Sequence, residues 1–155
     1  MLYPLSYGGS GAPRLPHRQR VAPRLTAVPD PTGRPLVLVV DDQQSLRSLV
    51  RVNLELEGYR VIEASDGVAC LEQARLHRPD LITLDVVMPR LDGLATTAEL
   101  RADPDLADVP IVMVTTSAHP TDLVRARLLG VDAYLTKPYD PNELVETVRR
   151  LVPPR

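Results

Sequence analysis

The sequence contains no tryptophan, no phenylalanine and a single cysteine, Cys70. Its hydrophobic content of 44% therefore comes mainly from leucine, valine, isoleucine and alanine, which predicts an aliphatic core. One cysteine excludes an intramolecular disulfide and a metal site built from several thiolates. Cys70 itself stands in a helical pattern, where a small buried residue is far more common than a reactive thiol.

Long apolar stretches are also missing. No segment approaches the roughly 18 consecutive apolar residues that a transmembrane helix needs. The N-terminus has no continuous apolar stretch of the kind found in a secretion signal. The sequence therefore predicts a cytoplasmic protein with no membrane span.

Charge is divided unevenly along the chain. Residues 1–34 hold five arginines and one acid, Asp30, together with six prolines and four glycines. This composition predicts a disordered, Pro/Arg-rich N-terminal extension that contributes no strand. Residues 35–155 keep 13 of the 18 basic and 19 of the 20 acidic residues, and we expect them to form one folded domain. Because an acidic domain binds nucleic acid poorly, we expect no direct DNA binding.

Five short apolar segments alternate with five segments of helical periodicity. The apolar segments are rich in β-branched residues, as expected of strands buried on both faces of a parallel sheet. This alternation predicts an α/β fold, a doubly wound five-stranded parallel sheet with five helices, and right-handed crossovers favour the strand order 2-1-3-4-5. The predicted strands are 36–40, 59–64, 81–85, 110–115 and 133–136, and the predicted helices are 43–57, 68–77, 93–101, 121–129 and 141–151.

Polar residues end four of the predicted strands. Asp41 and Asp42 end the first, Asp85 the third, Thr115 the fourth and Lys137 the fifth. Because the carboxyl ends of neighbouring parallel strands share one edge of the sheet, we expect these side chains in one pocket. Taken singly, each has an ordinary alternative, since the acid pair could cap the first helix and the lysine could lie on the surface.

The chemistry of this set points to phosphoryl transfer. Several carboxylates in one pocket repel each other, and a hard divalent cation with oxygen ligands relieves that repulsion. A lysine beside them supplies a positive charge for a phosphoryl oxygen or a carboxylate. A carboxylate nucleophile beside a metal is the chemistry of an aspartyl-phosphate, and phosphoryl transfer depends mainly on positioning and charge neutralisation.

Four motifs carry these residues: VVDDQ at 39–43, LDVVMPRLDG at 84–93, IVMVTT at 111–116 and YLTKPY at 134–139. Through them residues 36–151 resemble a response-regulator receiver domain, whose fold is flavodoxin-like. The resemblance covers about three quarters of the chain and excludes the N-terminal extension.

The resemblance implies a role for each polar residue. Asp85 is the phosphoacceptor, Lys137 contacts the phosphoryl group, and Thr115 hydrogen-bonds to that group after modification. Tyr134 resembles the aromatic switch residue that turns inward as Thr115 moves, and Pro138 follows Lys137 through a cis peptide bond. Mg²⁺ is the implied cofactor, bound by Asp42 and Asp85, by Asp41 directly or through water, and by the backbone carbonyl of Val87.

The resemblance also implies a function. We expect a stand-alone phospho-receiver of a two-component system or phosphorelay, because only four residues follow the last predicted helix. Its expected partners are a sensor histidine kinase or a histidine phosphotransfer protein, and a downstream protein that reads the face formed by residues 120–150. It is expected to be a switch and not an enzyme, catalysing only its own phosphorylation and dephosphorylation.

Two alternatives remain open from the sequence. The chain could be a degenerate receiver that serves only as a protein-binding module, although its complete set of reacting groups argues against this. It could also be an aspartyl-phosphate phosphatase, but haloacid-dehalogenase-like enzymes need a second aspartate two residues after the nucleophile, where this chain has Val87. Thr116 and Tyr139 replace the small residue and the phenylalanine usual in receivers, without removing a reacting group.

Overall fold

The computed structural model describes residues 2–4, 30–116 and 119–155 of the chain. These residues form a six-stranded sheet with five helices around it. No helix among them is long and apolar enough to cross a membrane. The strands are β1 Leu2–Pro4, β2 Leu36–Val40, β3 Arg60–Ala64, β4 Leu81–Leu84, β5 Ile111–Thr115 and β6 Ala133–Thr136, and the helices are α1 Gln44–Leu56, α2 Gly67–His77, α3 Gly93–Ala102, α4 Pro120–Leu128 and α5 Pro141–Leu151.

Five of the strands run parallel in the order β3-β2-β4-β5-β6. This is the predicted order 2-1-3-4-5, so the doubly wound fold is confirmed. Every residue of the inner strands β2, β4 and β5 is buried. Their uninterrupted aliphatic and β-branched sequences suit strands that are covered on both faces.

The helices cover the sheet in two layers. Leu54 of α1 and Val148 of α5 belong to the core on one face. Leu71 of α2, Leu100 of α3 and Ala126 of α4 belong to the core on the other. Burial of each aliphatic side chain contributes about 1.5–3 kcal/mol to the stability of the folded state. The two cores together therefore hold the ends of the strands in a fixed relative position.

The sixth strand, β1, differs from the sequence prediction. Leu2–Pro4 pairs antiparallel with β6, whereas the composition of residues 1–34 predicts disorder and no strand. That prediction is wrong for these three residues. It is also wrong for residues 30–34, which form a turn that an ion pair between Asp30 and Arg60, at 3.2 Å, joins to β3. An edge strand presents unpaired backbone groups, so a short segment can add to it without forming a core of its own. Residues 5–29 lie outside the described residues, and disorder there stays a prediction.

The loop between β4 and α3 packs tightly against the end of β4. A Cβ atom on Gly93 would lie 2.1 Å from the carbonyl oxygen of Asp85, closer than real Cβ contacts come. The Gly93 N–H donates to the carbonyl of Val86 at 2.9 Å. Asp92 caps α3 by accepting the N–H of Ala95 at 2.8 Å. The glycine and the cap together determine how the chain leaves β4 after Asp85.

Candidate functional site

Three carboxylates meet at the carboxyl edge of the sheet. Asp41 and Asp42 directly follow β2, and Asp85 directly follows the neighbouring β4. Oxygen atoms of the three groups all lie within 4.8 Å of one another. Asp41 and Asp85 are buried, at 7% and 6% exposure, whereas Asp42 is exposed. The structure therefore brings together the three acids that the sequence places at strand ends.

Lys137 joins two of these acids. Its Nζ donates to Asp41 Oδ2 at 2.6 Å and to Asp85 Oδ2 at 2.9 Å. Its backbone N–H donates to the carbonyl of Thr115 at 2.8 Å, and the peptide bond that follows, to Pro138, is cis. Burial lowers the pKa of Lys137, but the hydrogen bonds to the two carboxylates outweigh burial and raise the pKa overall. The side chain is therefore held as a protonated ammonium between the two acids.

Capping of the first helix does not account for Asp41. Its Oδ1 accepts the N–H of Gln43 at 2.9 Å. Gln43 itself stands at the N-cap position of α1, and no side-chain cap bond forms there. Arg47 Nη1 donates to the backbone carbonyl of Asp41 at 2.7 Å, which ties α1 to the end of β2. Asp41 is thus held by the turn before α1 while its other oxygen faces Lys137.

Asp85 is held through its backbone and through both carboxylate oxygens. Its N–H donates to the carbonyl of Val40 at 3.2 Å. Its Oδ1 accepts the N–H of Val87 at 3.1 Å, and its Oδ2 accepts from Lys137. Each oxygen keeps a further lone pair for another ligand. The Val87 side chain, 61% exposed, presents an apolar surface two residues after Asp85.

The donor set suits a hard divalent cation. Three carboxylates face one ammonium, which leaves an excess of negative charge. The groups that could bind an ion are oxygen donors, and Mg²⁺ in proteins takes one or two carboxylates together with waters and phosphate oxygens. Asp42 is exposed and therefore keeps the cluster accessible from solvent.

Two more candidate residues lie on strands beside the acid cluster. Thr115 ends β5 and Tyr134 lies in β6, and both are fully buried. Burial raises the pKa of Tyr134 to about 12, with smaller contributions from the negative charges of Asp122 and Asp85. Tyr134 packs in the same core as α4. Tyr134 therefore lies on the face of the sheet that α4 covers.

Arg90 is a residue near the site that sequence reasoning missed. It lies in the loop between β4 and α3, with a left-handed φ of 64°. Its Nε and Nη2 donate to the two carboxylate oxygens of Asp66 at 2.9 and 2.8 Å, and this pairing lowers the pKa of Asp66. Asp66 also caps α2 through the N–H of Ala69 at 2.8 Å. No sequence pattern signals this pair, because its members are 24 positions apart.

The sequence matches known proteins over the same region. The family model of the response regulator receiver domain matches residues 37–149. Alkaline phosphatase synthesis transcriptional regulatory protein PhoP of Bacillus subtilis is 42% identical over 116 residues, which are 75% of this chain and 48% of that protein. DNA-binding dual master transcriptional regulator RpaA of Synechocystis sp. is 39% identical over 118 residues, which are 76% of this chain and 49% of that protein.

Solved structures share the fold. Chemotaxis protein CheY4 of Vibrio cholerae superimposes with a TM-score of 0.72 at 34% identity, over 76% of this chain and 98% of that chain. The receiver domain of the Francisella response regulator 1452 gives a TM-score of 0.70 at 29% identity, over 76% of this chain and 95% of that chain. Each match covers about three quarters of this chain and nearly all of the other.

The relatives correct one expectation. The acidic balance of residues 35–155 predicts no direct DNA binding, but RpaA is named as DNA-binding and PhoP as a transcriptional regulatory protein. The prediction is wrong because it is based on the net charge of residues 35–155 alone. An acidic receiver domain does not exclude a DNA-binding domain in the same protein. The chain spans about half the length of the curated relatives it matches, so the stand-alone state is not supported by them either.

The solved structures share the doubly wound parallel sheet, so they agree with the strand order found here. The family model alone covers residues 37–149, which span β2 to α5 apart from the ends of these two elements. The chain belongs to the response regulator receiver domain family, the signalling switches of two-component regulatory systems.

Proposed function

We propose that this receiver accepts a phosphoryl group on Asp85. The observation that carries the proposal is one ammonium shared by two buried carboxylates, with Lys137 Nζ 2.6 Å from Asp41 and 2.9 Å from Asp85. Asp85 is the best placed nucleophile because β4 lies between the strand that leads to Asp41 and the strand that ends in Thr115. An incoming phosphoryl group on Asp85 therefore has charged or polar partners on both sides.

In the proposed reaction a carboxylate oxygen of Asp85 attacks the phosphorus of the donor. A P–O bond to Asp85 forms as the bond between phosphorus and the donor breaks, and the leaving group departs with that electron pair. An acyl phosphate donor leaves as a carboxylate and needs no proton. Lys137 neutralises negative charge at the reacting centre, which is the main contribution a protein makes to phosphoryl transfer besides positioning.

Mg²⁺ is the cofactor we propose. The protein ligands would be the carboxylates of Asp42 and Asp85, Asp41 directly or through water, and the backbone carbonyl of Val87. When bound, the ion neutralises charge on the phosphoryl oxygens. The excess of carboxylates over ammonium in the cluster supports this assignment.

Thr115 and Tyr134 are the proposed switch residues. The Thr115 hydroxyl would donate a hydrogen bond to a phosphoryl oxygen, a contact that the unmodified site cannot make. Because a ligand shifts a conformational equilibrium only through such differential contacts, this bond would favour a second arrangement of the site. Tyr134 is buried beside α4, so the change would reach the face formed by residues 120–150, where partners would read it.

The output we infer is control of transcription. PhoP and RpaA are transcriptional regulators by name, and they match this chain at 42% and 39% identity. In this proposal residues 35–155 form the receiver domain that carries the switch, and the N-terminal extension takes no part in the phosphoryl chemistry.

Labelling tests the proposed function directly. Incubation of the full chain with acetyl phosphate and Mg²⁺ is expected to add one phosphoryl group, measured by intact mass, that hydroxylamine removes. Addition of a chelator is expected to reduce the label strongly, because charge neutralisation at the carboxylates is lost. Absence of a metal-dependent label would instead identify a degenerate receiver that acts only as a binding module.

The lifetime of the phosphorylated state is expected to depend on Val87. Hydrolysis of an acyl phosphate needs a water in line with phosphorus, and the exposed Val87 side chain offers that water no hydrogen bond. We expect Val87→Asn to speed loss of the phosphoryl group by roughly tenfold, because a positioned polar group can orient the water. The measurement is the decay of phosphoprotein after the donor is removed.

The matched control for Val87→Asn is Val52→Asn. Val52 is similarly exposed, at 53%, but lies on α1. Its replacement is expected to leave the decay unchanged. Equal decay in the wild type and in Val87→Asn would show that this position does not limit access of water.

A further inference from the structure

The outer edge of β6 is occupied by the chain's own N-terminus. Leu2 pairs with Leu135, Tyr3 with Tyr134 and Pro4 with Ala133 in an antiparallel register. On its other side β6 pairs with β5. Without β1, β6 would be the last strand of the sheet, with a row of backbone N–H and C=O groups open to another chain.

This edge lies in the middle of the face formed by residues 120–150. Tyr134 of β6 belongs to the core that contains Ala126 of α4. The next residue, Leu135, belongs to the core that contains Leu144 of α5. The strand is thus flanked by α4 on one side of the sheet and by α5 on the other, and β1 pairs with its outer edge.

The connection to the folded domain is long enough for pairing within one chain. The path from β1 to β2 crosses four strand spacings, about 19 Å at the usual separation of neighbouring strands. Residues 5–35 link these two strands and could span roughly 100 Å when extended. Pairing therefore requires no strain in the link, and the tether keeps the segment near the edge at a higher effective concentration than a free peptide.

The segment Leu2–Pro4 can cover the edge of β6 reversibly. Three residues form few backbone hydrogen bonds, so β1 can detach without disturbing the parallel sheet. Pro4 lacks an N–H, and proline is tolerated in edge strands, where it discourages addition of a further strand. β1 therefore covers the backbone groups at the edge of β6, and Pro4 disfavours the addition of another strand to β1 itself.

We propose that the β6 edge is a docking site for an extended peptide strand, and that Leu2–Pro4 is its resident occupant in the same chain. A partner that binds by adding a strand to β6 must first displace this segment. The consequence for signal output rests on the proposed function, because it assumes that partners read the face formed by residues 120–150. The pairing itself does not depend on phosphoryl transfer.

The test uses the full chain and two double variants. Leu2→Pro with Tyr3→Pro removes both backbone N–H groups and is expected to prevent pairing. Leu2→Thr with Tyr3→Thr changes the same side chains but keeps both N–H groups and a high strand propensity. The measurement is amide hydrogen exchange of Ala133–Leu135. We expect the exchange rate of these amides to rise about tenfold in the proline variant. In the threonine variant the rate should stay within about twofold of the wild-type rate.

A peptide of sequence MLYPLSY, residues 1–7, completes the test. Added to the proline variant, it is expected to restore protection of Ala133–Leu135, and it should bind the wild type more weakly because the edge is occupied. Unchanged exchange in the proline variant, or failure of the peptide to restore protection, would overturn the proposal. Labelling of Asp85 is a separate readout, so failure of the proposed phosphoryl chemistry would leave the exchange result intact.

Discussion

Asp85→Asn is expected to abolish labelling of the protein by acetyl phosphate. Asparagine has nearly the same shape as aspartate and can still accept the N–H of Val87, but its amide is not a nucleophile toward phosphorus. The change also removes one of three carboxylates from the cluster, which weakens cation binding. The label is measured by intact mass after incubation with Mg²⁺, and the melting temperature shows that the variant is folded.

Asp92→Asn is the matched control for this change. Asp92 lies in the same loop after β4, but its side chain caps α3 at the N–H of Ala95. Asparagine caps helices about as well as aspartate, so both labelling and stability are expected to stay at the wild-type level. Full labelling of Asp85→Asn would place the phosphoacceptor elsewhere and remove the basis of the proposed function.

Gly93→Ala is expected to destabilise the fold more than an ordinary surface change. The new Cβ would lie 2.1 Å from the carbonyl oxygen of Asp85 and 2.8 Å from the Cα of Val86. Both contacts are with backbone at the end of β4, so no flexible side chain can move away. We expect a loss of about 3 kcal/mol in the free energy of unfolding, measured by chemical denaturation. Labelling of Asp85 should fall as well, because its backbone must shift.

Gly33→Ala separates this clash from the general cost of replacing a glycine. Gly33 has a left-handed φ of 66°, and a Cβ there would meet nothing within 4 Å. Only backbone strain opposes the change, at about 1 kcal/mol. A similar loss of stability in the two variants would show that the loop after β4 relaxes around Gly93 and does not determine the position of Asp85.

The parallel sheet could be predicted because its signals are local. The segments that form β2, β4 and β5 are short and aliphatic, and they alternate with segments of helical periodicity. Two-sided burial of such strands and right-handed crossovers leave few strand orders. The same reasoning located the candidate site, since residues that follow neighbouring parallel strands must share one edge of the sheet.

The contacts within the site could not be predicted in the same way. Lys137 meets Asp41 across 96 positions of sequence and Asp85 across 52. Arg90 meets Asp66 across 24 positions, although nothing near either residue marks it for pairing. Such contacts depend on how the helices and loops pack. That packing is determined by many buried side chains together and not by any short motif.

The sequence by itself determined the aliphatic parallel sheet and the identity of the polar residues at its carboxyl edge. Both follow from periodicity and composition within short segments. Only the tertiary structure decided which oxygen atoms Lys137 bonds, how Gly93 brings its loop against Asp85, and that Leu2–Pro4 adds to the sheet. The segment Leu2–Pro4 shows the physical reason most clearly. Its surroundings in sequence favour disorder, but the folded sheet presents at β6 an edge of unpaired backbone groups that exists only after the remaining strands have assembled.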